Sequence, residues 1–340
     1  MPQKTYLAGG ERVKALEKAV WLLLGADNVI ILAHKAPDGD TMGSASALAH
    51  ALIKLGKTAS VICDDPFPPK YNYLFDGLTS DYPRKAGSKS ELIVATDIAS
   101  VELMGESLAP FSDKIGLCID HHPSNTGYAD FTVVDPTAAA TCEIVVEIIG
   151  LLDVEIDRNI ADCIYTGLAT DTGCFRFSNT TPKTLRTAAA MIDKGADSVR
   201  LNKLLFETKS RGRLDMERMA LETLEYYFGG LVALITLTRE MNKKAGIADS
   251  ETEGIASIPA RIEGVEVGIT LKEKDDGFYK ISLRTSRKFN ASDICASLGG
   301  GGHSAAAGCR VEGTLDKVKR KILKAVSDEM EKHAMKGEDK

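Results

Sequence analysis

Short apolar runs recur through the first half of the chain, each the length of one strand, and helix-like stretches are interspersed with them. Residues 28–33 (NVIILA), 59–63 (ASVIC), 91–96 (ELIVAT) and 114–119 (KIGLCI) are almost continuously apolar, the pattern of strands buried on both faces. Residues 43–55, 141–149 and 157–168 repeat apolar positions at helical spacing, and 131–134 reads as a short edge strand. Strands alternating with helices predict βαβ units, hence a mostly parallel sheet with helices on both faces. From 181 to 228 the pattern is helical and polar, with a long charged segment. Beyond it, 231–238, 265–271 and 278–285 are strand-like, and Asp276–Gly277 between the last two signals a hairpin turn. A strand-like AAAGCRV (305–311) and a Lys-rich amphipathic helix follow, and the final MKGEDK is expected to be disordered. The reading is an α/β domain over 1–190, a helical linker over 191–228, and a smaller α+β mixed-sheet domain over 229–340.

Composition changes this picture little. A chain of 340 residues with 44% apolar and 26% charged positions is an ordinary globular protein of two domains. Its net charge of −6 argues against tracking long duplex nucleic acid, which favours a basic excess. No apolar run approaches the ~20 residues of a membrane span, and the first residues lack a signal-peptide core. A cytoplasmic protein with no membrane partner is expected. The seven cysteines, scattered without CxxC spacing, read as free thiols rather than a zinc site.

The chemistry lies where apolar runs end. HKAPDGD places His34, Asp38 and Asp40 in a tight loop after the first strand, VATD places Asp97 after another, and DHHPSN places Asp120, His121 and His122 after a third. GLATDTG places Asp171 at the end of a helix. Loops beyond the carboxyl ends of strands form the ligand crevice of an open α/β sheet. Carboxylate and imidazole together suit Mn²⁺, Mg²⁺ or Fe²⁺, although each aspartate by itself could simply cap a helix. Asp64 and Asp65 in VICDDP also end a strand, and position does not exclude them. Far downstream, GGGGHSAAAG (299–308) combines close backbone approach with exposed N–H groups that can cradle phosphate. It lacks the GK[ST] of a P-loop. His303 beside it and Arg284 in KISLR favour an anion pocket.

HKAPDGD, VATD, DHHPSN and GLATDTG, in that order, resemble the four motifs of the DHH phosphoesterase superfamily. KISLR and GGGGHSAAAG resemble the DHH-associated C-terminal domain. The two-domain layout is most similar to oligoribonucleases that degrade very short RNA and dephosphorylate 3′-phosphoadenosine 5′-phosphate (pAp). The resemblance implies two divalent ions, Mn²⁺ first with Mg²⁺ or Fe²⁺ as alternatives. His34, Asp38 and Asp97 would hold one, and Asp40, Asp97, His121 and Asp171 the other. It implies that Asp120 orients from behind, that His122 serves the substrate phosphate as a catalytic group, and that Arg284, Gly301, Gly302 and His303 grip the terminal phosphate or nucleotide. Asp64 and Asp65 match no motif. Ser286-Arg287-Lys288 resembles a triplet of the two-domain pyrophosphatases, and Arg176 and Asn179 could reach substrate or merely brace a turn. A phosphodiesterase for cyclic or linear signalling dinucleotides and a non-enzymatic nucleotide sensor are the competing readings. Cleavage polarity and oligomeric state, a homodimer included, stay open.

Overall fold

The structure, a computed structural model, describes residues 9–78, 91–247, 252, 254–274, 277–286 and 288–337. The chain forms two units that divide between Thr208 and Lys209.

The first unit is built on a parallel sheet of five strands: β1 (Asn28–Leu32), β2 (Thr58–Ile62), β3 (Glu91–Thr96), β4 (Ile115–Asp120) and β5 (Thr132–Val134), in the order β2-β1-β3-β4-β5. The strands are buried on both faces, as their continuous apolar runs predict. One face packs under α1 (Gly9–Gly25), α2 (Gly39–Lys54), α3 (Thr141–Leu151) and α4 (Arg158–Asp171) in a single core containing Ile31, Leu48, Val94, Ile119, Ile144 and Leu168. The opposite face is covered by 98–111 together with Tyr128, not by a second layer of α-helices. That crossover carries Gly105 with φ +89° and Pro110, and it forms two one-turn 3₁₀ helices, Val101–Leu103 and Ala109–Phe111. From β1 the chain steps outward to β2 and then returns to the far side of β1 as β3, so strand order reverses between β1 and β3. The loops after these two strands therefore flank the crevice where open α/β sheets bind ligands.

The helical stretch expected as a separate linker is shared between the units. α5 (Pro182–Asp193) and α6 (Ser198–Asn202) pack against α4 in the first unit. α7 (Arg211–Glu222) belongs to the second, because its Met216, Met219 and Ala220 bury against Ile235, Leu237 and Ile255. The second unit's mixed sheet comprises β6 (Glu225–Tyr227), β7 (Val232–Leu237), β8 (Val267–Glu273), β9 (Phe278–Thr285), β10 (Gly301–His303) and β11 (Ala306–Glu312), in the order β10-β11-β9-β8-β7-β6. α8 (Arg239–Ala245) follows β7, and α9 (Ala291–Ala296) and α10 (Leu315–Gly337) complete the unit. Ile294, Val318 and Ile322 cover one face of the sheet. β8 and β9 pair antiparallel as the hairpin pattern requires, while Asp276 of the expected turn lies outside the described residues. The expected disordered tail begins inside α10, which runs to Gly337, and 338–340 lie outside the described residues.

Candidate active site

Each of the four sequence stations ends a regular element of the first unit, and all four converge. Asp38 caps α2, its Oδ1 accepting from the backbone N–H of Asp40 (3.0 Å) and Thr41 (3.1 Å). The helix starts four residues earlier than the periodicity suggests, because this cap turns Gly39 and Asp40 into its first turn. Glycines then let α2 cross close to α4. A Cβ at Gly43 would stand 2.5 Å from the Cys163 carbonyl, and one at Gly167 would stand 2.7 Å from Asp40 Oδ1. That approach brings Asp40, at the start of α2, beside Asp171, the last residue of α4. Past Asp171, Gly173, Cys174 and Phe175 all have positive φ, turning the chain sharply away.

Asp97 follows β3 with φ +61°, a left-handed conformation that is strained for a non-glycine residue and marks functional sites. Asp120 ends β4 and is fully buried. Asp120 Oδ1 accepts from the His122 backbone N–H (3.1 Å) and from Nδ1 of its ring (2.8 Å), while Oδ2 accepts from Asn125 Nδ2 (2.7 Å).

Three groups of side chains could each hold a cation: His34, Asp38 and Asp97; Asp40, His121 and Asp171; and Asp97, His121 and His122. His34 Nε2 lies 3.7 Å from both Asp38 and Asp97. His121 Nε2 lies 3.5 Å from Asp171, 3.6 Å from Asp97 and 4.0 Å from Asp40. Asp97 thus stands between the two imidazoles. Nδ1 of His34 meets the Lys35 carbonyl (2.8 Å) and Nδ1 of His121 the Ala138 carbonyl (3.2 Å). A carbonyl only accepts, so both rings carry their proton on Nδ1 and turn Nε2 toward carboxylates. Carbonyl partners of this kind fix the tautomer of a metal-ligating histidine.

The electrostatics point the same way. Burial and the neighbouring Asp40 push Asp97 well above the carboxylate range, and burial also raises Asp40. Burial and Asp40 lift Asp171 to about 7 despite His121. Burial pulls His34 down, but Asp38 and Asp97 outweigh it and raise the ring to about 10. Burial is the larger cause of the carboxylate shifts, and the carboxylates acting on one another and on His34 add a local crowding of negative charge. Divalent ions would relieve it, so the residues fit the ions that the motifs imply. His122 differs: the Asp120 hydrogen bond raises it against burial, and the ring is 41% exposed.

Residues outside the motifs complete the site. Thr141, fully buried at the start of α3, donates from Oγ1 to Asp97 Oδ1 (2.9 Å) and from its backbone N–H to Asp40 Oδ2 (2.6 Å). The Cys142 N–H completes the grip on Asp40 at 3.0 Å. Nothing local in TAAATCE announces this role, because the partners lie 44 and 101 residues away. Asn125 reads locally only as a turn residue in HHPSN. Asn179 Nδ2 donates to the carbonyls of Ala139 (3.1 Å) and Asp171 (3.2 Å), and Arg176 Nε donates to the Gly173 carbonyl (2.6 Å). Both brace the turn behind Asp171. Asp64 accepts from Ser107 N–H (2.8 Å) and Glu106 N–H (3.2 Å), and Asp65 accepts from Ala36 N–H (2.6 Å). These two aspartates are tied to loop backbone.

The residues expected to form an anion pocket lie together on the second unit. His303 pairs with Ala306 and Ala306 with Arg284, so all three occupy one row on one sheet face. Gly301 is exposed with nothing near its missing Cβ, while Gly302, at φ +148°, has no room for one. Ser286 bonds the Glu266 carboxylate and accepts from the Lys288 N–H (3.2 Å). Arg287 lies outside the described residues. No described helix is long and apolar enough to cross a membrane. All seven cysteines are free.

The chain matches the model of the DHH family N-terminal domain over residues 28–168 and that of the DHHA1 domain over 230–332. A relative from Thermus thermophilus, named a bifunctional oligoribonuclease and PAP phosphatase, is 34% identical over 89% of this chain and 90% of its own. One of the same name from Bacillus subtilis is 27% identical over 84% of this chain and 90% of its own. Among solved structures, an exopolyphosphatase-related protein from Bacteroides fragilis superposes with a TM-score of 0.81 at 26% identity, covering 93% of this chain and 96% of that one. The exonuclease RecJ bound to manganese shares the fold, with a TM-score of 0.51 at 13% identity, covering 92% of this chain and 94% of that one. A metal-competent acidic crevice on a parallel sheet, a glycine-rich second unit and these matches agree: the chain is a member of the metal-dependent DHH phosphoesterase family that carries the DHHA1 domain.

Proposed function

We propose that the protein hydrolyses RNA of a few nucleotides to mononucleotides and removes the 3′-phosphate of pAp. Two divalent ions, Mn²⁺ with Mg²⁺ or Fe²⁺ as alternatives, would be held by His34, Asp38 and Asp97 and by Asp40, Asp97, His121 and Asp171. The observation that carries this reading is the convergence of four distant segments on Asp97, with two Nε2 atoms aimed at buried carboxylates. The activities for which the Thermus and Bacillus relatives are named support the substrate class.

Bound ions supply charge that lowers the pKa of water toward neutrality and offsets the repulsion between an anionic nucleophile and an anionic phosphodiester. The chain's own groups do the rest. Thr141 and the start of α3 hold Asp97 and Asp40 in place. Asp120, itself held by Asn125, orients His122 through Nδ1 and favours its protonated form. His122 Nε2 then offers a proton to the departing oxygen, the role of a general acid. On the second unit, Arg284 and His303 hold the terminal phosphate above Ala306, where small side chains and the Gly301 backbone leave it room.

Turnover of pAp, a two-nucleotide RNA and a cyclic dinucleotide, by metal-stripped protein and after Mn²⁺ addition, tests the reading. Metal-dependent hydrolysis of the first two, lost in Asp97→Ala and His121→Ala, is the expected result. Full activity in a preparation verified as metal-free refutes the metal role, and selective hydrolysis of the cyclic dinucleotide refutes the substrate class.

A further inference from the structure

The row that carries Arg284 and His303 is one of four on the same sheet face, the last of them setting Glu312 opposite Phe278. The next contains Gly301, Gly308, Ser282 and Thr270, paired strand to strand. The third contains Arg310, Lys280 and Lys272, again directly opposite one another. Like charges directly opposite on adjacent strands destabilise a sheet, and here three cations stand side by side in a chain whose net charge is −6. Lys280 is exposed and, among the described residues, makes no ion pair. Arg310 is exposed, lies over the Phe278 ring and pairs with the exposed Glu312 at 3.6 Å. Lys272 is half-buried and donates to Thr252 Oγ1 at 2.5 Å.

The surroundings separate the two halves of this face. Over β8 it is covered: Gly268 packs on Ala260, and Thr270 bonds the Ala256 carbonyl. Over β9, β11 and β10 it lies open, with Ser282, Arg284, Ala306 and Gly308 partly buried and Lys280, Arg310, Gly301 and His303 exposed. Residues four apart on a strand share a face and stand about 13–14 Å apart, which is the reach of two backbone repeats of an extended single strand. Glycine and serine fill the middle row, so nothing bulky separates Arg284 from Lys280. A separate surface groove of about 640 Å³ runs from Arg310 and Glu312 to the α10 side of the sheet, where Lys321, Lys324 and Asp328 line it.

We propose that the open half of this sheet is a track for the RNA backbone, in which Lys280 and Arg310 bind a phosphate further along the strand than the one at Arg284 and His303. The proposal rests on the terminal-phosphate reading of Arg284 and His303 and extends it. It makes preference among short RNAs a property of the second unit, with the like-charge row retained because an anion neutralises it.

Full-length protein held in chelator, with labelled RNAs of two and five nucleotides, provides the binding test. In Lys280→Gln/Arg310→Gln the five-nucleotide affinity should fall about tenfold or more. The slope of log affinity against log salt should flatten by roughly 0.7 for each phosphate that the variant no longer neutralises. With metal restored, the ratio of kcat/KM for five against two nucleotides should fall by the same factor. Lys280→Gln alone should melt higher than wild type, because removing one member of a like-charge row relieves repulsion; a residue kept for structure would melt lower. An unchanged salt slope and an unchanged length ratio overturn the track. Arg284→Ala in the same series keeps the two ideas apart. If it weakens two-nucleotide binding while the length ratio of the double variant stays wild-type, the track fails and the anchor stands. If it leaves two-nucleotide binding intact while the double variant loses length dependence, the anchor fails and the track stands.

Discussion

Replacing Asp171 by asparagine should stabilise the metal-free protein at neutral pH while weakening its response to metal. Asp171 ends α4 beside Asp40 and His121, and burial together with Asp40 lifts its pKa from the ordinary 3.8 to about 7. Below 3.8 the carboxyl is protonated in both folded and unfolded chains and costs nothing. As pH rises from there to about 7, the unfolded chain releases the proton first, so folding loses about 1.36 kcal/mol per pH unit. Over that span the loss approaches roughly 4 kcal/mol. The side chain is 27% exposed, and solvent reaching it lowers the working figure to about 2 kcal/mol. Asparagine keeps the shape and removes the charge. For a unit of this size each kcal/mol moves Tm by about 2–4 °C, so metal-free Asp171→Asn should melt ~4–8 °C above wild type at pH 7.5. The gap should close near pH 4. Mn²⁺ at a hundred times its Kd should raise the wild type by about 2.7 kcal/mol and the variant by much less, reversing the order. Thermal melts at both pH values, in chelator and in Mn²⁺, read all of this. A metal-free variant that melts at or below wild type at pH 7.5, or one that gains as much from Mn²⁺, refutes the reasoning.

Two further outcomes follow from the same geometry. Thr141→Val removes the hydroxyl that holds Asp97 and should weaken metal affinity roughly 10–100-fold with only a small loss of metal-free stability; Mn²⁺ titration by calorimetry measures it, and wild-type affinity would remove Thr141 from the site. Arg284→Ala should weaken pAp and dinucleotide turnover roughly ten- to a hundredfold, the value of one charge-assisted hydrogen bond, while sparing bis-p-nitrophenyl phosphate, which lacks a second anchoring group; equal losses on all three substrates would contradict an anchoring role.

The sequence by itself determined which residues could carry the chemistry and on which elements they stand. Continuous apolar runs located β1 to β4 within one or two residues, because a strand buried on both faces has no polar alternative. Acids and histidines placed immediately after such runs had to lie at the carboxyl edge of the sheet, and order and spacing made HKAPDGD, VATD, DHHPSN and GLATDTG legible as one set. Local pattern could not separate Asp97 from Asp64, since both follow apolar strands. The tertiary structure distinguishes them: the Asp64 carboxylate is tied to the backbone N–H groups of Ser107 and Glu106, while Asp97 faces His34 and His121.

What only the tertiary structure decided depends on contacts between residues far apart in the chain. The role of Thr141 arises from α3 aiming its first turn at α2 and β3. The approach of Asp171 to Asp40 arises from glycines that let α2 and α4 cross closely. The linker expected over 191–228 dissolved into both units because Met216, Met219 and Ala220 have an apolar surface to bury against, which helical periodicity alone cannot reveal. The cationic row of Lys272, Lys280 and Arg310 is likewise a product of strand register. In the sequence these are three ordinary basic residues; antiparallel pairing sets them side by side, since register alone decides which side chains meet across a sheet.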